Sequence, residues 1–371
     1  MKFVVSSSAL YKQLAAISGV IVNNPVVPIL ENFLFELEGK QLTVTASDLQ
    51  TAVTTVLPVA AQEEARIAIP ARILLETLRN LPEQPVTFSI NADTYAVEIS
   101  SDNGRYRLAG ENATDFPRLT MTQEGVAVAM PAAALKKAIQ QTIIATSSDE
   151  LRPAMSGVYM SFSEAGATFV ATDGHRLVRY TNTEVGVATQ KPFIVPKKTL
   201  VLLNALLPSE QQDVDIIFSD NTIYFRLANV RMVARLVDER YPDYENVIPT
   251  NNPNQLVINR LAFLASLKRI AIYANKTTHQ VKLKLAGSGL EVLAEDFDFA
   301  NEATERLHCE YEGEDLEIGF NAKFLLEMLS SLSAETVVLQ FSAPSKAGLL
   351  LPKEQEAHED LLLLLMPVLI Q

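Results

Sequence analysis

The sequence predicts an α+β fold built from three tandem copies of one domain, in which two helices pack on antiparallel sheets. Three observations support this fold. Short motifs recur at intervals near 125 residues, runs of alternating apolar residues follow one another closely, and each interval contains two segments with helical spacing of apolar residues. Consecutive strands that are closely joined pair antiparallel, which places the chain in the α+β class.

The repeat is the strongest of these observations. Three motifs occur three times each in the same order, and the intervals between their copies agree within three residues. Such an interval is too long for a solenoid unit of about 20–50 residues and has the size of a whole domain. We therefore predict domains at residues 1–120, 121–247 and 248–371. The matching positions are Asp48, Asp173 and Asp296 (125 and 123 apart), Pro70, Pro196 and Asn321 (126 and 125 apart), and Pro117, Pro242 and Pro367 (125 and 125 apart).

Each domain is predicted to contain one strand, a helix, three strands, a second helix and three more strands. The second helix begins at Pro70, Pro196 or Asn321, because proline and asparagine both favour a helix N-terminus. The six predicted helices cover residues 8–18, 70–82, 131–145, 196–208, 258–275 and 321–334.

The composition is that of a soluble globular protein. Of the 371 residues, 48% are hydrophobic and 20% are charged, and no apolar run reaches the roughly 18 residues that a membrane span requires. The single cysteine, Cys309, cannot form a disulfide within the chain, which fits a reducing compartment. The first residues do not follow the pattern of a signal peptide. We expect a cytoplasmic protein with no membrane partner.

The charges are segregated between the helices and the rest of the chain. The formal net charge is −13, which by itself disfavours nucleic acid as a partner. The six predicted helices, however, carry only two acidic residues, Glu76 and Glu327, and are net +9, whereas the remainder is net −22. The eleven basic residues of these helices are Lys12, Arg72, Arg79, Lys136, Lys137, Lys197, Lys198, Arg260, Lys268, Arg269 and Lys323.

This segregation predicts that the helices line a surface that faces a polyanion. An ordinary solvated helix face is the alternative explanation, but such a face would carry glutamate as readily as lysine. No aromatic residues alternate with the basic ones, which disfavours stacking on single-stranded bases. The contact would therefore be with phosphate and indifferent to sequence.

No motif of an active site or a metal site is present. The chain lacks a nucleophile elbow, a phosphate-binding glycine-rich loop and a dinucleotide fingerprint, and its four histidines are scattered. We predict no catalytic residues, no metal and no cofactor. Asp173 and His175 are close enough in sequence to suggest a hydrolase, but Asp-Gly is a common turn pair, so a structural turn with a binding role is the preferred interpretation. A multidomain β-rich binding protein unrelated to DNA is the third alternative.

Several segments resemble one known family, the bacterial sliding clamp, which is the β subunit of the replicative DNA polymerase III holoenzyme. Residues 171–177, 194–198 and 240–244 resemble its central domain. Residues 27–30 and 69–72 resemble its first domain, and residues 318–321 with the Met366-Pro367 terminus resemble its third. The resemblance covers the whole chain, with the same domain order.

The resemblance implies a processivity factor of DNA replication. Two chains would form a head-to-tail dimeric ring of six clamp-type domains, which encircles duplex DNA without sequence specificity. The basic helices would line the hole, so the eleven basic residues named above would face the DNA. The ring would tether the replicative polymerase, the clamp loader and repair proteins through short linear peptides, and it would be a non-catalytic accessory subunit.

The resemblance also implies two sets of contact residues. The peptides would enter a hydrophobic pocket, and the head-to-tail contact would set basic residues of the first domain against acidic residues of the third. The implied pocket residues are Met155, Thr172, Gly174, His175, Arg176, Leu177, Pro242, Val247, Asn321, Phe324, Pro344, Met366 and Pro367. The implied dimer contacts are Thr77, Leu81, Arg105, Arg107 and Leu108 on the first domain, and Ile272, Tyr273, Asp296, Asp298, Glu302 and Glu305 on the third.

Three features depart from the family pattern. The C-terminus lacks the basic residue that often follows the proline in this family, and Asn23-Asn24 occupy a loop where some clamps place a DNA-contacting base. Residues 352–360 form a longer acidic loop. These departures concern the rim of the pocket and the loop contacts to DNA.

Overall fold

The computed structural model describes residues 2–61, 64–119, 125–187, 191–208, 212–287 and 289–370, and within these ranges the chain forms six α-helices and 26 β-strands. All strand pairs between named strands are antiparallel, which confirms the predicted α+β class with helices on antiparallel sheets. The helices are α1 (Ser7–Ile17), α2 (Ala71–Arg79), α3 (Ala132–Thr142), α4 (Lys197–Leu206), α5 (Arg260–Ile270) and α6 (Ala322–Ser331).

The strands follow the threefold repeat. Those of the first repeat are β1 (Lys2–Ser6), β2 (Asn32–Glu38), β3 (Gln41–Ser47), β4 (Thr51–Pro58), β5 (Ala60–Ala61), β6 (Ala65–Pro70), β7 (Pro85–Ile90), β8 (Ala96–Ser100) and β9 (Arg105–Ala109). Those of the second are β10 (Val126–Pro131), β11 (Gly157–Ser163), β12 (Gly166–Thr172), β13 (Arg176–Asn182), β14 (Phe193–Pro196), β15 (Asp213–Phe218), β16 (Thr222–Arg226) and β17 (Val230–Arg235). Those of the third are β18 (Asn254–Asn259), β19 (Gln280–Ala286), β20 (Gly289–Asp296), β21 (Asn301–His308), β22 (Glu310–Glu312), β23 (Leu316–Asn321), β24 (Thr336–Phe341), β25 (Gly348–Pro352) and β26 (Glu359–Leu365).

The predicted number of strands between the two helices of a repeat was wrong. The structure has four full strands there, because β6, β14 and β23 each run directly into the following helix. The sequence interpretation assigned these residues to the helix entrance, since each strand ends on the residue that was taken as the helix start. Pro70 is the last residue of β6, where it pairs with Asn32, and the helix begins at the next residue.

Five of the six helices are shorter than predicted, mainly at their C-terminal ends, whereas α1 has the predicted length and begins one residue earlier. α2 ends at Arg79 and α6 at Ser331, while α1, α3 and α5 each continue into a short 3-10 turn. Side chains cap α1, α5 and α6 at their N-termini: Ser6 accepts a hydrogen bond from Ala9 N at 3.3 Å, Asn259 accepts one from Ala262 N at 3.0 Å, and Asn321 accepts one from Lys323 N at 3.0 Å. None of the described helices is long and apolar enough to cross a membrane.

The strands and helices form two compact units, which we describe separately. Unit 1 comprises residues 1–133 and 198–236, and unit 2 comprises residues 134–197 and 237–371. The second repeat is therefore divided between the units. The predicted boundary between residues 120 and 121 lies outside the described residues.

Unit 1 contains two sheets. The smaller has the strand order β5-β1-β7-β8-β9, and the larger has the order β10-β15-β16-β17-β4-β3-β2-β6. Strands β17 and β4 belong to different repeats, yet they pair in register, with Val233 opposite Ala52. The core includes Phe3 and Phe88, whose rings stack with centroids 4.8 Å apart, and the buried stripe of α1.

Unit 2 also contains two sheets. The larger has the order β14-β11-β12-β13-β26-β25-β24-β18-β22, and the smaller has the order β21-β20-β19-β23. Strands β13 and β26 join the second repeat to the third, with Arg176 opposite Leu365. Two groups of aromatic rings lie in the core of this unit: Phe162 packs on Phe169 and Phe193, and Phe320 packs on Phe341.

A buried hydrogen bond between two threonines of unit 1 gives a test of the fold. The hydroxyls of Thr51 on β4 and Thr199 on α4 lie 3.1 Å apart, and the residues are 2% and 1% exposed. We expect Thr199→Val alone to lower the free energy of unfolding by about 1–3 kcal/mol, because it leaves the Thr51 hydroxyl buried and unpaired. Thr51→Val/Thr199→Val should be close to the parent in urea denaturation, since both polar groups are then removed. A double variant less stable than the single one would contradict this packing.

Candidate functional site

The turn at residues 172–176, between β12 and β13, is built around the carboxylate of Asp173. Its Oδ1 accepts hydrogen bonds from His175 N and Arg176 N, both at 2.9 Å, and its Oδ2 accepts one from Arg176 Nε at 3.0 Å. Thr172 Oγ1 donates to Arg176 O at 2.7 Å and accepts from Gly174 N at 3.1 Å. Gly174 has a φ of +89°, a conformation that side chains disfavour. Asp173 is thus a structural residue of the turn.

His175 does not pair with Asp173. Both oxygens of that carboxylate are used within the turn, and the imidazole of His175 instead stacks on Phe324 of α6, with ring centroids 6.1 Å apart and an interplanar angle of 23°. Neither residue of the hydrolase alternative is therefore arranged as an acid–base couple in the described part of the chain.

Arg176 connects this turn to α6. The residue is 8% exposed, and its Nη1 donates to Glu327 Oε2 at 2.5 Å. Its guanidinium carbon lies 4.5 Å from the centroid of the Phe324 ring, a cation–π contact that is favourable where water is excluded. With Asp173 and Glu327 as anionic partners, the buried charge is compensated on both sides.

The C-terminal residues lie beside the same turn. Met366 directly follows β26, and its N–H donates to His175 O at 2.8 Å, so the pairing of β13 with β26 places the chain end at residues 175 and 176. The structure therefore brings together predicted pocket residues from three distant parts of the sequence: His175 with Arg176, Phe324, and Met366.

The last residues are held by the smaller sheet of unit 2. Val368 N donates to Gly319 O at 2.8 Å and forms an isolated β-bridge with Gly319, at the free edge of β23. Gln280 Nε2 donates to Leu369 O at 3.3 Å. A Cβ atom on Gly319 would lie 2.7 Å from Val368 O, so only glycine lets the chain end approach this closely.

An apolar cluster lies next to the turn. Leu177 is 1% exposed and packs with Val170, Leu362 and Leu364 of the neighbouring strands, together with Tyr241. The hydroxyl of Tyr241 donates to Val170 O at 3.4 Å, and its ring contacts Tyr159 and Tyr244. Burial raises the pKa of Tyr244 to about 12, so the tyrosines of this cluster are neutral hydrogen-bond donors at physiological pH.

The other predicted pocket residues differ in their exposure to solvent. Pro242 and Met155 are half-buried, Val247 is 53% exposed and Pro367 is half-buried. Pro344 is exposed in the loop before Ala347, a member of the cluster. Asn321 has a structural role, because its side chain caps α6 and also donates to Thr278 O at 3.4 Å.

Sequence reasoning missed two residues that hold the site together. Arg152 donates from Nη1 to Asp173 O at 3.2 Å and lies 3.7 Å from Met155 Sδ, while its Nε donates to Asp149 at 2.9 Å. Glu327 is the second partner of Arg176. Glu327 could have been found as one of only two acidic residues in the six helices, whereas no local signal distinguishes Arg152.

A separate cavity of about 600 Å³ in unit 2 contains none of the predicted pocket residues. It is lined by Lys137 and Gln141 of α3, by residues that follow α6 and by the acidic loop between β25 and β26. Lys137 forms an ion pair with Glu359 there. No group of three or more histidine, cysteine, aspartate or glutamate residues suited to a metal ion occurs among the described residues.

The eleven basic residues of the helices differ in their surroundings. Eight are exposed, whereas Lys136, Lys137 and Arg260 are partly buried. The side chain of Arg260 is bound to backbone carbonyl groups: its Nε donates to Ala334 O at 2.6 Å and its Nη1 to Leu329 O at 3.1 Å. These are carbonyls at and beyond the C-terminal end of α6, where unpaired carbonyl groups attract a cation.

Four other basic residues of the helices form ion pairs with carboxylates. Lys198 binds Asp48, Lys137 binds Glu359, Arg72 lies 3.4 Å from Glu76, and Arg269 donates two bonds of 2.6 Å to Glu305. The hydrogen bond from Arg269 lowers the pKa of Glu305. Six have no ion-pair partner within the part of the chain that the structure describes: Lys12, Arg79, Lys136, Lys197, Lys268 and Lys323.

The implied dimer contacts of unit 1 lie around α2 and β9. Arg105 and Arg107 are exposed on β9, which is paired on one side only, with β8. Leu108 is 7% exposed, Leu81 is half-buried, and Thr77 Oγ1 donates to the carbonyl of Ile73 at 2.7 Å.

The implied dimer contacts of unit 2 lie around β21, which is likewise paired on one side only, with β20. Ile272 and Tyr273 are 68% and 43% exposed, and Asp298 and Glu302 are exposed. Asp296 differs from the expectation, because it is 2% exposed and its Oδ1 accepts hydrogen bonds from Asn275 Nδ2 and Asp298 N. The Asp296 carboxylate is therefore buried and stabilises the turn after β20 through these hydrogen bonds.

Comparison with known proteins identifies the class. Three family models match consecutive segments: the N-terminal domain of the DNA polymerase III beta subunit at residues 1–120, its central domain at 129–243 and its C-terminal domain at 245–367. The beta sliding clamp of Vibrio cholerae serotype O1 is 30% identical over 352 residues, which cover 94% of this chain and 95% of the relative.

Solved structures agree with this result. A sliding clamp (DNA polymerase III subunit beta) from Bartonella birtlesii bound to griselimycin is 30% identical, with a TM-score of 0.93 and full coverage of both chains. A DNA polymerase sliding clamp from Pseudomonas aeruginosa with ligand is 26% identical, with a TM-score of 0.95 and full coverage. The fold is thus that of a DNA sliding clamp.

The chain belongs to the family of bacterial beta sliding clamps, the beta subunits of DNA polymerase III. This confirms the family that the sequence motifs resemble, and with it the predicted function in DNA replication as a processivity factor.

Gly319 offers a test of how the chain end is held. We expect Gly319→Ala to displace Val368, because the added methyl group would lie within 3 Å of its carbonyl oxygen. Hydrogen exchange at the Val368 amide should become faster. Gly289→Ala is the matched control on β20 of the same sheet, since the nearest atom to a Cβ there is 3.8 Å away. Unchanged protection of Val368 in Gly319→Ala would contradict the described edge contact.

Proposed function

We propose that two copies of this chain close head to tail into a ring that encircles duplex DNA and tethers polymerases and other proteins to it. The observation that carries the proposal is the segregation of charge. The six helices of the structure contain the same eleven basic and two acidic residues that the sequence prediction assigned to them, in a chain of net charge −13. A protein without a polyanionic partner has no physical reason to exclude acid from all of its helices.

The contact with DNA is proposed to be with phosphate and independent of sequence. The six basic residues without an ion-pair partner in the described chain are the strongest candidates, since a cation that is already neutralised adds little to phosphate binding. The basic residues in ion pairs with Asp48, Glu76, Glu305 and Glu359 would contribute less. A weak, diffuse field of this kind permits sliding, because no base contact has to be broken.

The proposed ring would have three domains per chain, at residues 1–120, 121–247 and 248–371. Strands β9 and β21 each have one unpaired edge, and such edges are open to pairing with another chain. If the β9 edge of each copy meets the β21 edge of the other, the same contact occurs twice. Two copies then close into a ring in which neither the β9 nor the β21 edge is exposed. Arg105 and Arg107 on β9 would meet the acidic residues near β21.

The tether is proposed to be the apolar region beside residues 172–177, with Met366 and Pro367 at its rim. Short linear peptides of the replicative polymerase, the clamp loader and repair proteins would bind there. A buried apolar cluster with a few oriented polar groups suits such a ligand. We assign no catalytic role to the chain and place it in the cytoplasm. The arrangement of Asp173 and His175 argues against the hydrolase alternative, and the charge segregation argues against a binding protein unrelated to DNA.

Topological binding to DNA can be tested directly. Protein loaded onto circular plasmid by a bacterial clamp loader should co-elute with the plasmid on gel filtration in high salt, and should be released when a restriction enzyme linearises the plasmid, because a ring slides off free ends. The charge variant Lys12→Glu/Arg79→Glu/Lys268→Glu should load less, whereas Lys40→Glu, an exposed lysine outside the helices, should load like the parent. If the protein dissociates equally from circular and linear plasmid, the ring proposal is wrong.

The peptide site can be tested at the chain end. A protein truncated after Leu365 should lose binding of the C-terminal peptide of a bacterial replicative polymerase by at least about tenfold, since each 1.4 kcal/mol of lost contact is a factor of ten. Isothermal titration would measure the affinity, and sedimentation should show that the dimer is retained. The matched control ends at Ile370 and should bind like the parent. Unchanged affinity after removal of Met366 and Pro367 would refute the assignment.

A further inference from the structure

The turn built around Asp173 has a counterpart in unit 1, at residues 47–51 between β3 and β4. Asp48 Oδ1 accepts hydrogen bonds from Gln50 N at 3.0 Å and from Thr51 N at 2.7 Å. Asp173 Oδ1 accepts the same pair of bonds from the second and third residues after it. The two turns are therefore copies of one local structure.

The strand that follows each turn has a corresponding neighbour. At the end of β17 in unit 1, Arg235 N donates to Gln50 O at 2.9 Å. Directly after β26 in unit 2, Met366 N donates to His175 O at 2.8 Å. The chain thus passes the unit 1 turn in the same way as it passes the turn at the candidate pocket.

A buried apolar cluster lies beside each turn, and the two clusters contain corresponding positions. Strands β2 and β11 begin 125 residues apart, and the first residue of each lies opposite the proline that ends β6 or β14. With that offset, Leu34 corresponds to Tyr159, and Phe116 corresponds to Tyr241. The candidate pocket therefore has a structural counterpart in unit 1. Its buried apolar members are Ile29, Leu30, Leu34, Ala68, Ala113 and Phe116.

The two sites differ at the residue that follows the aspartate. In unit 2 this residue is Gly174, with a φ of +89°, and it adds no side chain to the space beside the cluster. In unit 1 it is Leu49, with a φ of +74°, a conformation that a bulky side chain rarely adopts. Leu49 is partly buried and packs against the unit 1 cluster. The hydrogen bonds of Asp48 hold the turn, and with it the leucine, in this position.

We propose that Leu49 occupies the unit 1 counterpart of the peptide pocket from within the chain, and so limits each chain to one peptide site. This role rests on the proposed peptide site of unit 2. Leu49 is the occupant because its side chain already packs on the cluster that corresponds to the one beside that site.

The vacated unit 1 site would accept an apolar group rather than a whole peptide. The positions of Arg176 and Phe324 are held there by Thr51 and Thr199, whose hydroxyl groups lie 3.1 Å apart and bind each other. The polar group and the aromatic ring that would orient a peptide in unit 2 are therefore missing, whereas the apolar cluster is present.

Leu49→Gly tests the role of the leucine, since glycine keeps the positive φ and removes the side chain. Indole is the apolar probe, followed by NMR of labelled leucine methyl groups. In the parent, indole should shift the methyl resonances of Leu177 and Leu362 in unit 2. Those of Leu30 and Leu34 should shift only in Leu49→Gly, because an apolar space that is left empty binds small apolar molecules. Leu49→Met, which keeps the volume of the side chain, is the control and should respond like the parent.

The reciprocal change is Gly174→Leu. It should weaken binding of the polymerase peptide by at least about tenfold in isothermal titration, because the added side chain would fill the unit 2 pocket as Leu49 fills its counterpart. A Cβ atom at Gly174 meets the end of the flexible Arg152 side chain at 3.1 Å, which can move. Gly287→Leu is the matched control in the same unit. Gly287 has a φ of +57° and no neighbouring atom within 4 Å of a Cβ, so this variant should bind like the parent.

The outcomes separate this role from the proposed function. If the methyl groups of Leu30 and Leu34 do not respond in folded Leu49→Gly, or respond equally in the parent, Leu49 does not close a second site. Equal peptide affinity of Gly174→Leu and Gly287→Leu would overturn the role as well, and it decides the matter if circular dichroism shows that Leu49→Gly does not fold. A parent that binds no polymerase peptide would instead overturn the peptide site of unit 2.

Discussion

The pairing of strands from different repeats is the constraint on which the rest of the structure depends. A domain-sized repeat of short strands ends in open sheet edges, and open edges have unpaired backbone groups. In unit 1, β4 of the first repeat pairs with β17 of the second, and in unit 2, β13 of the second pairs with β26 of the third. Each pairing extends one sheet across a repeat boundary, which is why the compact units do not coincide with the repeats.

The candidate pocket is a consequence of the second pairing. Because β26 lies against β13 with Leu365 opposite Arg176, the residues that follow β26 must lie beside the turn that precedes β13. The pocket therefore arises where two departures from the repeat meet: the Gly174-His175-Arg176 turn of the second copy and the Met366-Pro367 end of the third. Arg176 then joins both to α6 through Glu327 and Phe324.

Charged residues that look alike in the sequence make different contacts in the structure. Arg260 is used to bind carbonyl groups near the end of α6, and Arg269 is neutralised by Glu305, whereas Lys268 beside it has no ion-pair partner in the described chain. Asp296 and Asp298 likewise differ. Asp296 is buried and accepts a hydrogen bond from the backbone of Asp298, whereas the side chain of Asp298 is exposed. A count of charges along the chain identifies the eleven basic residues of the helices. It cannot tell which of them form ion pairs, because most of their ion-pair partners lie far away in the sequence.

The sequence alone determined the threefold repeat, the α+β class, the approximate position of all six helices and the family, since these depend on local periodicity and on motifs of consecutive residues. It did not reveal the strands that lead into the second helices, because these strands are short and end on the residues that suggest a helix start. Only the tertiary structure decided which predicted pocket residues meet and which basic side chains have no ion-pair partner among the described residues. It also showed that Arg152 and Glu327 contact the turn at residues 172–176, because contacts between residues 21 and 151 positions apart leave no local pattern.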